Sequence, residues 1–182
     1  MSGLAVATGV MGIAIAMLGL SALAAPSVLR EAARRFPRSA PAAWILTALA
    51  LLWSGVWLYR APFVADISWA RTAVCVAMPV AFVLLVAFLE ELLAVRALGG
   101  ILLLAPSWLL NAAFVSDARW KAVVVVLAYV MVVAGMILVM SPYRFRTTAE
   151  AALRSDARSR AAGAVGLAAG AVLLALAFAV YR

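Results

Sequence analysis

The run from Thr72 to Phe114 constrains this chain more than any other stretch, because it is an apolar run that holds no charge except Glu90, Glu91 and Arg96 near its middle. A charged side chain at the centre of a bilayer costs at least about 2.5 to 3.5 kcal/mol on the insertion scale. One crossing from Thr72 to Ala105 would be a helix of about 50 Å at 1.5 Å per residue, against a hydrocarbon core of about 30 Å. Two crossings that turn over near Glu90 to Arg96 put all three charges at an interface and suit the length of the run. The expectation is a hairpin, eased by Gly99 and Gly100, with a single crossing as the alternative.

The rest of the chain matches that reading. Its residues are 69% hydrophobic and 12% charged, with a mean hydropathy of +1.15, which is the composition of an integral membrane protein. The expected fold is all-α: a polytopic transmembrane helix bundle of six spans, or five if the central run crosses once. The spans fall at about 4–25, 42–59, 72–89, 97–114, 122–140 and 161–181, and together they form one integral membrane domain over 1–182. The first ends in Ala-Leu-Ala-Ala-Pro like a signal-peptidase site. It lacks a basic leader and is long enough to cross by itself, so it reads as a transmembrane helix.

Two segments between spans read as short amphipathic helices lying at the membrane surface. From Ser27 to Phe36, Leu29, Ala32, Ala33 and Phe36 share one face with Arg30, Arg34 and Arg35 around the other, and Glu31 can pair with Arg35. From Ser141 to Arg160 the chain is basic again, with Arg146, Glu150 and Arg154 at four-residue spacing. The net charge of +8 therefore belongs beside apolar spans. Arg30, Arg34, Arg35, Arg144, Arg146 and Arg154 are expected to contact anionic lipid headgroups rather than nucleic acid. With six spans, ten Lys and Arg residues fall on one side and five on the other. That asymmetry places the richer side in the cytoplasm of an inner membrane and both termini outside.

Chemistry is sparse. The chain has no His, and its one cysteine, Cys75, lies in an apolar span where a small buried hydrophobe is the expected role. There is no P-loop, metal-ligand cluster, nucleophile elbow or glycine-rich dinucleotide turn, so neither an enzyme nor a bound cofactor or metal is expected. Glu90, Glu91 and Arg96 form the candidate functional charge cluster. Glu91 and Arg96 are five apart and cannot pair within one helix. Small residues at four-residue spacing, among them Gly12 in the first span and Gly166 and Gly170 in the last, are candidate helix-packing positions.

A shift of eighty residues aligns Leu23–Pro62 with Leu103–Pro142, matching Ala25-Pro26-Ser27 to Ala105-Pro106-Ser107 and Gly55 to Gly135. An internal 3+3 repeat is one explanation, and an alphabet rich in Ala and Leu is the other. The function expected is a non-catalytic accessory or scaffold subunit, packing against a membrane-protein partner or against copies of itself. The alternative is a small transporter or channel built from an inverted repeat, with a cavity lined by groups such as Asn111, Tyr129, Thr47 or Ser54.

Overall fold

The computed structural model describes residues 2–67, 69–88 and 92–181, with the backbone alone at 63 and 65. The protein is 88% helical, and there is no strand among the described residues. Six helices are long and apolar enough to cross a membrane: α1 (Gly3–Ala24), α3 (Ala40–Tyr59), α5 (Ala70–Phe88), α6 (Leu93–Val115), α7 (Lys121–Met140) and α9 (Asp156–Ala179). Between them lie three shorter helices, α2 (Pro26–Arg35), α4 (Pro62–Ala65) and α8 (Tyr143–Ala152), and a 3₁₀ turn over Phe36–Arg38.

Local chemistry sets the helix ends. Ser2 caps α1, its hydroxyl accepting from the Ala5 amide at 3.1 Å, and Ser155 caps α9 by accepting from Arg158 at 3.3 Å. Ala25 leaves the helical region, with φ of −140° and ψ of 67°, where it precedes Pro26, which ends α1 and starts α2. Leu92 and Trp120, just before α6 and α7, hold left-handed conformations with φ of 59° and 67°. That conformation costs a non-glycine residue about 1–2 kcal/mol.

The Thr72–Phe114 run is two helices. Leu85 and Val86 near the end of α5 and Leu93 and Ala94 at the start of α6 gather with Ala43 of α3. Farther along, Gly55 faces Met78 and Gly100 faces Ala50. α5 is therefore antiparallel to α3, and α6 parallel to it. The turn itself, including Glu90 and Glu91, lies outside the described residues.

Packing is uneven. α1 and α9 run antiparallel in extensive contact, α6 lies along α7, and α3 bridges α6 and α5. The main core sits toward the chain termini, where Leu4, Ala7, Leu109, Val124, Ala128 and Tyr181 are buried together. The Tyr181 hydroxyl donates to the Trp120 carbonyl at 2.9 Å, and the Ser2 hydroxyl donates to the Tyr181 carbonyl. Together they tie both ends of the chain to the start of α7. α5 is the outlier: none of its described residues is fully buried, and its main neighbours are α3 and the short α4, with Leu85 and Val86 near its end touching the cluster that includes Leu93 and Ala94. Cys75 is exposed on α5, which corrects the expectation of a buried thiol; an outermost helix has few neighbours to bury it.

The eighty-residue match is not mirrored in local structure. Pro26 opens a helix after a break, whereas its counterpart Pro106 lies inside α6. Gly55 meets a Met78 side chain, but Gly135 meets the backbone of Gly99.

Candidate functional site

At the end of the bundle away from the termini, α2, the 3₁₀ turn, α8 and the start of α6 come together. Two contacts fix the arrangement. The rings of Phe36 and Phe145 sit 5.5 Å apart at 47°, joining the two basic segments through their apolar sides. Arg30 reaches Asp156, in the first turn of α9, with N···O of 2.7 Å.

These contacts enclose an open cleft of about 850 Å³ lined by Arg34, Pro37, Arg38, Leu92, Tyr143, Arg146 and Glu150. Among the described residues, three guanidiniums thus face one cleft with a single carboxylate. Arg146 Nε donates to Glu150 at 2.9 Å. The Glu150 carboxyl is held below its ordinary value chiefly by that hydrogen bond, which outweighs the opposing effect of burial, and the charges of Arg146 and Arg34 lower it further. The Tyr143 phenol is likewise lowered, chiefly by its hydrogen bond with Arg144 and by that residue's charge.

The structure separates the arginines expected to touch headgroups. Arg34 and Arg146 line the cleft. Arg30 is committed to Asp156, and Arg35 pairs with Glu31 as their spacing implies. Arg144 is exposed on α8, and Arg154 is exposed beyond that helix. Because α8 stops at Ala152, Arg154 does not continue the face of Arg146 and Glu150. Arg38, which lines the cleft from the 3₁₀ turn, was not singled out by spacing; its signal was its place two residues past Phe36 in the same basic segment. Arg96 is half-buried in the first turn of α6 at this same end, while its companions Glu90 and Glu91 fall outside the described residues.

The candidate packing glycines all lie in the α1–α9 seam. A Cβ at Gly12 would stand 3.0 Å from Leu174 Cγ, and one at Gly170 would stand 2.6 Å from the Ala16 amide nitrogen. Gly166 is looser, with Gly19 Cα at 3.4 Å. The tightest position is Gly19, where a Cβ would be 2.4 Å from the Leu167 nitrogen, and Gly163 opposes it with Gly19 O at 2.8 Å. Four-residue spacing missed both. The signal that finds them is the seven-residue interval, Gly12 to Gly19 and Gly163 to Gly170, repeated on two antiparallel helices.

No protein-family profile, curated protein or solved structure matches this chain. Its function is therefore argued from the geometry alone.

The polar groups named for a transport cavity are scattered. Asn111 lines a hollow of about 340 Å³ between the start of α1 and the end of α6. Tyr129 is exposed on α7, Ser54 donates to the Leu51 carbonyl of its own helix, and Thr47 is buried without a hydrogen-bond partner. No cluster of three or more His, Cys, Asp or Glu occurs among the described residues.

Proposed function

We propose that this chain is a non-catalytic polytopic protein of the cytoplasmic membrane, an accessory or scaffold subunit that packs α5 against a partner helix or a second copy of itself. The observation that carries this reading is the bareness of α5 together with Pro79 inside it. Proline has no N–H, so the Cys75 carbonyl four residues earlier lacks its helical donor. Lipid supplies no donor, whereas a polar side chain on a neighbouring helix can. Apolar side chains alone would rest equally well in lipid. The orphaned carbonyl on an outer helix favours protein.

The basic end then faces the cytoplasm, its arginines meeting anionic headgroups and both termini lying outside. Residue-specific labelling tests this in a Cys75→Ser background. A cysteine at Ser116 should react with an impermeant reagent from outside, and cysteines at Ser39 and Ser155 should not.

Assembly is tested with the natural thiol. Oxidation of wild-type membranes should link Cys75 into a homodimer or into an adduct of defined mass with one partner. Absence of any adduct from Cys75, or from cysteines placed at Val76 and Val83, in a chain that is monomeric in lipid nanodiscs, would sink the reading.

A further inference from the structure

We propose that the cleft between α2, the 3₁₀ turn and α8 is a binding site for one phosphate-bearing anion, and that the headgroup of an anionic phospholipid fills it. The site deepens the placement of this end at headgroup level but does not depend on α5 having a partner.

The donor set is the first argument. Arg34, Arg38 and Arg146 come from three separate elements and line one volume. Guanidinium forks match phosphate oxygens with paired, charge-assisted hydrogen bonds. Glu150 takes the Nε of Arg146, and a guanidinium carries five N–H donors, so among the described residues the terminal nitrogens of Arg146 are left for a ligand. The Tyr143 phenol adds a neutral donor at the rim. Among the described lining residues, three cations beside one carboxylate give an excess of positive charge that an anion balances.

Shape and position are the second argument. The cleft's 850 Å³ lies within the roughly 300–1,000 Å³ range of small-molecule sites. Pro37 is buried and Leu92 half-buried along its wall, giving it an apolar side next to the polar one. Its lining residues lie just before the starts of α3 and α6 and just after the end of α7, beside apolar helices whose surfaces suit acyl chains. Basic pockets placed between membrane helices in this way hold anionic headgroups. A free phosphate would use the guanidiniums but leave the apolar wall idle.

The experiment uses the full chain in uncharged detergent micelles, with retained lipid counted by native mass spectrometry. Phosphatidylglycerol and phosphatidylcholine are supplied at equal mole fraction. We expect one phosphatidylglycerol retained per chain in preference to phosphatidylcholine. Arg34→Gln/Arg38→Gln should weaken retention about tenfold or more, and Arg34→Lys/Arg38→Lys should restore part of it. Arg158→Gln/Arg160→Gln removes the same charge from the same end without touching the cleft and should change retention little.

Equal losses from the two Gln pairs would mean diffuse charge and no site, overturning the proposal. So would retention that appears only in Glu90→Gln/Glu91→Gln, since the guanidiniums would then be occupied by the chain's own carboxylates. Millimolar inorganic phosphate distinguishes the source. Failure to displace the lipid supports the headgroup, and full displacement with one bound phosphate supports a soluble anion at the same residues. A Gln pair that loses helical circular dichroism is replaced by the Lys pair and Tyr143→Phe, for which an intact fold with unchanged retention would again overturn the site.

Discussion

α5 and the α1–α9 pair are closely similar in hydropathy, yet they sit at opposite extremes of packing. α1 and α9 meet along most of their length with backbones in contact at Gly12, Gly19, Gly163 and Gly170. α5 contains no glycine and has no fully buried residue among those described. In water, three equally apolar helices would all be driven into a core. In lipid, the tails are as apolar as the side chains, and what decides which helices associate is how closely their surfaces can approach. Small residues in register make that approach between α1 and α9. Branched and aromatic side chains, such as Val76, Val83 and Phe88 on α5, hold it off. Glycine seams are thus spent inside the protomer, so replacing Gly12 or Gly166 tests folding rather than assembly.

The comparison breaks most directly at Gly19. Gly19→Leu should prise α1 from α9 and destabilise the protein by about 3 kcal/mol or more, since overpacking a tight contact against rigid backbone lies at the top of its usual range. Ala77→Leu on α5 should leave thermal stability in micelles unchanged. Heat denaturation followed by circular dichroism reads both, and equal melting temperatures for the two variants would dissolve the contrast.

A smaller loss, about 1 kcal/mol, is expected from Tyr181→Phe, which removes the hydrogen bond from the end of α9 to the Trp120 carbonyl. The same melt measures it, and hydrogen exchange should rise at the start of α7. Gly166→Ala sharpens the comparison from the other side. Its nearest neighbour at 3.4 Å leaves room for a methyl group, so relief of the glycine helix penalty should stabilise by up to about 1 kcal/mol.

The smallest effect concerns pH at the basic end. Because the folded-state Glu150 carboxyl is lowered by Arg146, its contribution to holding α8 is complete above the ordinary carboxylate pKa of about 4.3. It is lost as pH falls through the lowered folded value. A carboxyl NMR titration should place Glu150 below an unperturbed glutamate and return it toward that value in Arg146→Gln.

Much of the skeleton was legible in the residues. Six apolar helices, a break at Pro26 and another between Phe88 and Leu93, and the Glu31–Arg35 pair follow from span length, proline geometry and four-residue spacing, although Arg96, expected in the turn, lies inside α6. The basic cleft was half legible. Charge runs announced Arg34 and Arg146, but nothing local joins α2 to α8, which are separated by four long helices. Arg154 was misplaced because the helix was read through Leu153. Cys75 was misplaced because hydropathy does not distinguish lipid from protein as a neighbour.

The sequence by itself determined that this chain belongs in a membrane, how many long apolar helices it forms and at which end its arginines gather, because solvation of charge and the thickness of a bilayer act on each segment separately. Only the tertiary structure decided that α1 pairs with α9, that α5 is left outside and that Phe36 meets Phe145 to close a cleft. Those outcomes depend on steric fit between distant surfaces. Where lipid and protein are equally apolar, no local preference encodes that fit.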